Sequence, residues 1–142
     1  MPRKRIRLLA LGLIRDRDRI LLSRGVDPAN HQVFYRALGG GVEFGETSLE
    51  ALRREFQEEI QAELVNVHYV ACIENLFTFN NHVRHEVIQL FQGDFADPTF
   101  YMRDEIEFLE GRRRKLALWV NLADCRAGKI QVVPDNFLSF IE

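Results

Sequence analysis

The sequence predicts an α+β fold in which a mixed β-sheet lies between helices, an α/β/α layering. Three observations lead to this prediction. Segments with the length and composition of β-strands stand on both sides of one long helical pattern. A shorter apolar segment at 134–141 predicts a terminal helix. The chain has 142 residues and no low-complexity linker, so we expect residues 1–142 to form a single domain.

The segments before the long helix alternate between strands and polar turns. Strands are predicted at 5–15, 20–24 and 33–38. The first is mostly apolar, so we expect it to be buried. A polar turn at 16–19 separates the first two strands, and a loop at 25–32 containing Pro28 and Asn30 precedes the third. This third strand leads into a run of glycines.

After the long helix the sequence predicts two hairpins. The first joins strands at 63–79 and 83–94. The second joins strands at 106–110 and 115–120 around Gly111, with Arg112, Arg113 and Arg114 at its tip. A basic run of this kind is more often a solvated hairpin end than a phosphate clamp. A short helical turn beginning at Asn121 is predicted to stop at Gly128.

The long helix carries an apolar arc and an acidic arc side by side. The apolar arc contains Leu49, Leu52, Phe56 and Ile60. Glu55, Glu58 and Glu59 stand at i, i+3 and i+4, and therefore share the second arc. Like charges one turn apart repel, and anions near a helix C-terminus are disfavoured. Carboxylates are the ligands that hard divalent cations prefer, so this arc indicates a metal site. The alternative is a solvated acidic helix with neighbouring arginines.

A glycine-rich segment stands immediately before this helix. Gly39, Gly40, Gly41 and Gly45 permit positive φ and close backbone approach. Thr47 and Glu50 have the spacing of a capping box, which fixes the first turn of the helix. We therefore expect backbone groups of the glycine segment to lie at a defined distance from the glutamates, facing a metal ion or a phosphate.

These residues together resemble the Nudix box, G-x5-E-x7-R-E-U-x-E-E-x-G-U, in which U is a bulky apolar residue. Every charged position of the pattern is matched. Gln61 stands where the family has glycine, Ala62 where it has a larger apolar residue, and Leu38 where a proline often precedes the glycines. The matching residues are Gly40, Glu46, Arg54, Glu55, Phe56, Glu58 and Glu59.

The resemblance implies the fold and the chemistry of a Nudix hydrolase, which cleaves the pyrophosphate linkage of a nucleoside diphosphate derivative with the help of Mg²⁺, or of Mn²⁺ as a substitute. By similarity, Glu55 and Glu59 are the principal metal ligands and Gly40 contributes a backbone contact. Glu58 is a further ligand or the catalytic base. Arg54 orients the glutamates, and Glu46 is a supporting ligand or a brace for them.

The identity of the base and of the substrate is left open by the sequence. Glu105 or Glu107 is an alternative base to Glu58. Glu74, Phe77 and Phe79 are candidates for substrate binding, Glu74 because it interrupts an apolar strand. A (d)NTP or nucleoside polyphosphate is the favoured substrate, giving a nucleoside monophosphate. The alternatives are a nucleotide sugar, ADP-ribose or an RNA 5′ end, and, in a different class, a non-catalytic nucleotide-binding regulatory domain.

Composition restricts the partners and the compartment. The net charge of −2 gives no broad electrostatic basis for binding duplex nucleic acid. No apolar run reaches the length of a membrane span, and the basic N-terminus lacks a signal-peptide cleavage site. The two cysteines, Cys72 and Cys125, have no metal-ligand spacing, so a cytoplasmic location is expected. The expected partner is a small-molecule nucleotide, and a homodimer is left open.

Overall fold

The computed structural model describes residues 4–141 of the chain. Its elements are β1 (Ile6–Asp16), β2 (Arg19–Val26), β3 (Val33–Arg36), β4 (Leu38–Gly41), α1 (Ser48–Ile60), β5 (Leu64–Phe79), β6 (His82–Phe95), β7 (Glu105–Glu110), β8 (Arg113–Asn121) and α2 (Leu122–Arg126). Short 3₁₀ helices lie at Pro98–Met102 and Phe137–Phe140. The mixed sheet of the sequence prediction is confirmed.

Strand β1 is the centre of the sheet. Its first part pairs parallel with β6 and antiparallel with β4, and its last residues pair antiparallel with β2. The strand order is β5-β6-β1-β2-β8-β7, with β3 added to β2 and β4 to β1. Because both faces of β1 are covered, its residues from Leu9 to Ile14 form a continuous buried run. The exposed Ile6 and Leu8 are outside this run, so the predicted burial holds only for its inner part.

Helix α1 covers one face of the sheet. The Thr47 hydroxyl accepts a hydrogen bond from the Glu50 backbone N–H, and the Glu50 side chain accepts one from the Thr47 backbone N–H, so the predicted capping box is present. Leu52, Phe56 and Ile60 pack against residues of β1, β6 and β7. A Cβ atom at Gly12 would lie 2.9 Å from the Phe56 ring, so glycine is required where the helix approaches β1.

The opposite face of the sheet is covered by α2 and the C-terminal segment. Leu9, Leu11 and Leu13 of β1 pack there with Phe137 and Ile141. The sheet therefore lies between two helical layers. However, the predicted terminal helix over 134–141 is wrong, because only Phe137–Phe140 is helical and it is a 3₁₀ turn. Asn136 provides no side-chain cap to that turn, and a segment this short does not sustain an α-helix without one.

The glycine segment also differs from the prediction. The single strand expected at 33–38 is two short strands, of which β3 pairs with β2 and β4 pairs with β1. The expected glycine loop is largely strand β4, in which Gly40 lies opposite Ala10. Positive φ occurs at Gly39 and Gly45, but not at Gly40 or Gly41. Pairing with the central strand fixes the position of these glycines better than a free loop would.

Candidate active site

Gly40 and Glu55 make the closest contact between β4 and α1. A Cβ atom at position 40 would lie 2.5 Å from the carboxyl carbon of Glu55. No real Cβ makes such a contact, so only glycine allows the carboxylate to lie against the strand. The strand pairing of Gly40 with β1 and the capped start of α1 together fix this geometry. The predicted proximity of the glycine segment and the glutamates is therefore present.

Glu59 is a buried acid one turn beyond Glu55. It is 9% exposed, and its Oε1 atom has no hydrogen-bond partner among the described residues. Burial, together with the hydrogen bond and the negative charge of Glu55, raises the pKa of Glu59 to about 9. Glu110 raises this pKa further, and Lys115 acts in the opposite direction. Without another cation, Glu59 holds a proton near neutral pH.

Arg54 is the cation that organises the remaining carboxylates. Its guanidinium donates to Glu46 at 2.7 Å, to Glu55 at 3.0 Å and to Glu58 at 3.3 Å. It also donates to the backbone carbonyl of Gly41 at 3.0 Å, so one side chain connects β4, the cap region and α1. The hydrogen bonds that Arg54 donates to Glu46 and Glu55 raise the pKa of Arg54, against the opposing effect of burial. The predicted orienting contacts of Arg54 are present.

Glu46 is fixed from two sides. It accepts two hydrogen bonds from Arg54, at 2.7 and 3.1 Å, and one from the Glu43 backbone N–H at 2.9 Å. These hydrogen bonds, that of Arg54 above all, lower the pKa of Glu46. Its contacts are those of a brace for Arg54.

The acidic arc contains the groups that a hard divalent cation needs, although Arg54 engages most of them. Within residues 4–141, no three His, Cys, Asp or Glu side chains already form a ligand cluster, because Glu46, Glu55 and Glu58 turn toward the guanidinium. The unpartnered Glu59 oxygen and the Glu55 carboxylate against Gly40 supply carboxylate donors. This donor set fits Mg²⁺ or Mn²⁺.

The candidates for substrate binding lie on β5 and are not brought together. Glu74 interrupts an apolar strand, which led us to expect a buried polar group that needs a partner, but the structure leaves Glu74 exposed and this expectation is wrong. Strand alternation puts Glu74 on one face of β5 and Phe77 and Phe79 on the other. The two phenylalanines are half-buried, and the Phe79 ring meets Phe34 edge-on at 5.9 Å with Arg84 over it at 5.7 Å.

The alternative bases, Glu105 and Glu107, lie on the far side of β7 from α1. Ile106 and Phe108, which alternate with them, pack into the core beneath the helix. The acid of β7 that acts on Glu59 is Glu110, and the neighbouring cation is Lys115 of β8. Both were missed from the sequence. Glu110 alternates in register with Ile106 and Phe108, so the strand pattern could have placed it on the helix side of β7. Lys115 lies on the same side as the strand partner of Phe108.

Comparison with known proteins agrees with the motif and the fold. The family profile described as NUDIX domain matches residues 3–138. The chain belongs to the NUDIX family. NUDIX hydrolases are pyrophosphohydrolases that act on nucleoside diphosphate derivatives, and this chain is an enzyme of that kind. No curated protein matches the chain.

Solved NUDIX structures share its fold. A NUDIX hydrolase from Nitrosomonas europaea superposes with a TM-score of 0.66 at 16% identity, over 96% of this chain and 86% of that one. A MutT NUDIX hydrolase from Burkholderia pseudomallei gives 0.62 at 22% identity, over 84% and 86%. The ORF135 protein of E. coli gives 0.58 at 21% identity, over 95% and 85%. At these identities the likeness shows the fold alone.

Gln61 shows what the departure from the NUDIX pattern does locally. It is the C-cap of α1 and has φ 53° and ψ 42°, the left-handed conformation that glycine adopts most readily. Its backbone N–H still donates to Gln57 and Phe56. The helix therefore ends where a family glycine would end it, but with a strained residue.

Two further sequence-based expectations concern the whole chain. Among the helices of residues 4–141, none is long and apolar enough to cross a membrane. Cys72 is exposed and Cys125 is buried, and both are free thiols. The cytoplasmic location and the homodimer remain predictions.

Proposed function

We propose that this NUDIX enzyme is a metal-dependent hydrolase of a (d)NTP or nucleoside polyphosphate, and that it releases a nucleoside monophosphate. The observation that supports this most is Glu59, a buried acid with one unpartnered oxygen. It interacts with Glu55, whose carboxylate lies against Gly40. A buried carboxylate without a cationic partner is costly for a fold. A divalent cation with a phosphate chain would remove that cost.

The proposed roles of the residues rest on the NUDIX motif and are compatible with their contacts. Glu55 and Glu59 would hold Mg²⁺, or Mn²⁺ in its place, with Glu58 as a third carboxylate and Gly40 as a backbone contact. The ion, when bound, neutralises phosphoryl oxygens and lowers the pKa of a bound water. Arg54 and Glu46 position the glutamates. Glu58, which is more exposed than Glu55 and Glu59, would accept a proton from an attacking water.

The aromatic pair of β5 is a candidate for the nucleoside end of the substrate. Phe77 and Phe79 lie on the same face of the strand, and half-buried rings offer surface for stacking on a base. Glu74 lies on the other face, so as a substrate contact it would have to meet a different part of the ligand.

Turnover measured on a nucleotide panel tests the proposal. The panel contains a (d)NTP, a dinucleoside polyphosphate, a nucleotide sugar and ADP-ribose, each with Mg²⁺, with Mn²⁺ and with EDTA. We expect monophosphate release from the first two, abolished by EDTA. Glu58→Gln and Glu59→Gln should lower kcat by roughly 10²–10⁴-fold, because each removes a group acting on the reacting phosphate or water.

Glu63→Gln is the control, since Glu63 is an exposed acid just beyond the helix. Circular dichroism of each variant checks that the fold is kept. Parent rates in both helix variants would refute the assigned roles. Nucleotide binding without any hydrolysis would favour the non-catalytic alternative.

A further inference from the structure

Charged and polar residues form a row on the face of the sheet opposite α1. Arg7 of β1, Glu86 of β6 and Asn75 of β5 are partners in register across three neighbouring strands. Leu9 and Ile88, the strand partners two residues further along, are buried on the face that α2 and the C-terminal segment cover. Because side chains two residues apart on a strand share one face, Arg7, Glu86 and Asn75 also point away from α1.

The carboxylate of this row is already paired. Glu86 is 4% exposed, and its Oε1 atom lies 3.2 Å from Nη2 of Arg36. Arg7 is in register with Glu86, but its guanidinium lies toward β4, where its Nη2 atom is 3.6 Å from the position of a Cβ atom at Gly41. Arg36 therefore neutralises Glu86, and the positive charge of Arg7 is left over.

A second arginine on this face also lacks a carboxylate. Arg84 lies two residues before Glu86 on β6 and therefore shares its face. The Arg84 guanidinium stands over the Phe79 ring, 5.7 Å from the ring centroid, and its Nε atom is buried without a hydrogen-bond partner among residues 4–141. A buried N–H group without an acceptor is costly. A ligand that carries anionic oxygens would supply an acceptor to this side chain.

Arg7 and Arg84 give this face an excess of positive charge. Within the described part of the chain, neither forms an ion pair or donates a hydrogen bond from its side chain. Arg84 is two residues from the strand partner of Arg7, so the two long side chains can reach one ligand. Guanidinium groups bind phosphate oxygens in a bidentate way. These two residues are called the arginine pair below.

Strand β4 connects the arginine pair with the candidate active site. The carbonyl of Gly41 accepts a hydrogen bond from Arg54 at 3.0 Å, and Arg7 lies against the same residue. The preceding residue, Gly40, faces the Glu55 carboxylate on the helix side of the sheet. Among the described strands β4 pairs only with β1, so no strand covers its other edge. A phosphate chain beside Glu55 can therefore continue round this edge to Arg7.

We propose that the arginine pair binds the phosphate next to the nucleoside, which leaves with the nucleoside monophosphate. This inference rests on the proposed function. Phe77 and Phe79, the candidates for the nucleoside end, lie on the same face as the arginine pair, and Phe77 is the strand partner of Arg84. The arginine pair thus lies between these rings and the glycines of β4. A phosphate bound there is the one attached to the nucleoside, and the rest of the chain extends toward Glu55.

The first test is binding of nucleoside monophosphates in EDTA, measured by calorimetry. AMP, GMP, CMP and UMP are each compared with the corresponding nucleoside. The control for Arg7→Ala is Arg112→Ala, which removes the same charge from an exposed turn position. For the monophosphate that binds the parent most tightly, we expect the Kd to rise about tenfold or more in Arg7→Ala and less than about threefold in the control, because one charge-assisted contact is lost. The Kd of the nucleoside should not change.

The proposal is overturned if the parent binds no monophosphate, or binds monophosphate and nucleoside alike. Equal weakening by Arg7→Ala and Arg112→Ala would also overturn it, because a general effect of charge would then be sufficient. Arg84→Ala should weaken monophosphate binding as Arg7→Ala does. Arg84 is half-buried, so circular dichroism checks the fold of that variant. If Arg84→Ala is unfolded, Arg7→Ala, which changes an exposed residue, decides the proposal.

The second test is product inhibition during hydrolysis of a nucleoside triphosphate. In Arg7→Ala, the inhibition constant of the monophosphate should rise about tenfold or more, and that of pyrophosphate should change less than about threefold. Arg7→Lys keeps the charge but loses the bidentate geometry, so its constant for the monophosphate should be intermediate. A rise in the pyrophosphate constant as large as that for the monophosphate would place Arg7 at the leaving group and contradict the assignment.

These tests separate this inference from the proposed function. Monophosphate binding in EDTA requires neither metal nor turnover. If no nucleotide is hydrolysed, the proposed function fails while the binding data still decide whether the arginine pair is a phosphate site. If nucleotides are hydrolysed but Arg7→Ala and Arg112→Ala bind the monophosphate alike, only the assignment of the arginine pair fails.

Discussion

Glu59 is the residue whose chemistry the fold changes most. In the unfolded chain its pKa is 4.5, whereas burial and the adjacent Glu55 raise it to about 9 in the folded protein. Between these values the folded metal-free protein binds one proton more than the unfolded chain. Its free energy of unfolding therefore falls as the pH rises through this range, by at most about 1.4 kcal/mol per pH unit.

We predict that Glu59→Gln removes this pH dependence. In EDTA, the variant should be more stable than the parent at pH 8, and the difference should shrink toward pH 5, because the neutral amide needs no proton. Denaturant unfolding of the parent and the variant at several pH values measures this difference in stability. Glu63→Gln should follow the parent curve, and a parental pH dependence in the Glu59 variant would show that another group causes it.

The sequence selected candidate residues for the site but could not predict their hydrogen bonds or their burial. The motif spacing was enough to choose Glu55, Glu58, Glu59, Arg54 and Gly40. It could not show that Arg54 would take three carboxylates at once, or that Glu59 would be the buried acid and Glu58 the exposed one. Those differences depend on how α1 is rotated against β4 and β7, which is set by packing between distant segments.

At the scale of elements, the site depends on the contact of β4 with α1. The two elements approach so closely at Gly40 that any side chain there would displace the Glu55 carboxylate. Gly41, the next residue, has more room, since a Cβ atom there would find its nearest neighbour, the Arg7 guanidinium, at 3.6 Å. Glycine is therefore required at position 40 by the Glu55 carboxylate, whereas position 41 has room for a small side chain.

We predict that Gly40→Ala lowers kcat/KM and metal affinity by at least about tenfold, because Glu55 has to move away from the strand. Gly41→Ala is the matched control and should keep both within about threefold. Calorimetric titration with Mn²⁺ and steady-state kinetics measure the two effects. Equal losses of kcat/KM and metal affinity in both variants would mean that any side chain added to this part of β4 is harmful, independently of the contact with Glu55.

The end of α1 gives a second prediction at this scale. Gln61→Gly should raise the free energy of unfolding by about 0.5–1 kcal/mol, because glycine adopts the left-handed cap without steric cost, although the exposed hydrogen bond to the Glu58 carbonyl is lost. Gln57→Gly, inside the helix, should have the opposite effect, about 1 kcal/mol of destabilisation. Denaturant unfolding of the two variants measures these effects. A Gln61→Gly variant that is less stable than the parent would show that the left-handed conformation of Gln61 is not strained.

Element prediction succeeded where local patterns are strong. The capping box and the apolar arc located α1, and the turn residues located the β5–β6 and β7–β8 hairpins. The predicted elements were wrong at 134–141 and at 33–41, where the local sequence of apolar residues or glycines is compatible with more than one secondary structure. There the outcome was decided by partners far along the chain: Phe137 and Ile141 pack under β1, and β4 pairs with β1.

At the scale of the whole molecule, the sheet brings three separate segments to one region. β4 supplies Gly40, α1 supplies the acids, and the β7–β8 hairpin supplies Glu110 and Lys115. The order of the sheet depends on β1, which pairs with β6, β4 and β2. The α+β class was predictable from element order. The parallel pairing of β1 with β6 was not, because strand register is set by non-local packing.

The same organisation ties the far end of the β5–β6 hairpin to the rest of the molecule. The buried Asp27 accepts hydrogen bonds from the backbone N–H groups of Ala29 and Asn80, and Phe34 meets Phe79 across the same region. The half-buried aromatic rings are thus held on a braced part of the sheet. A rigid surface of this kind suits the recognition of a base.

We propose that the glutamates of α1 bind a divalent cation against a pyrophosphate. Calorimetric titration of Mg²⁺ and Mn²⁺ into the protein, with and without a non-hydrolysable nucleoside triphosphate analogue, tests it most directly. We predict binding to the parent and to Glu63→Gln, strengthened by the analogue, and at least about tenfold weaker binding to Glu59→Gln. Absence of binding to the parent with the analogue present, or equal affinity in Glu59→Gln, would contradict a metal site on α1.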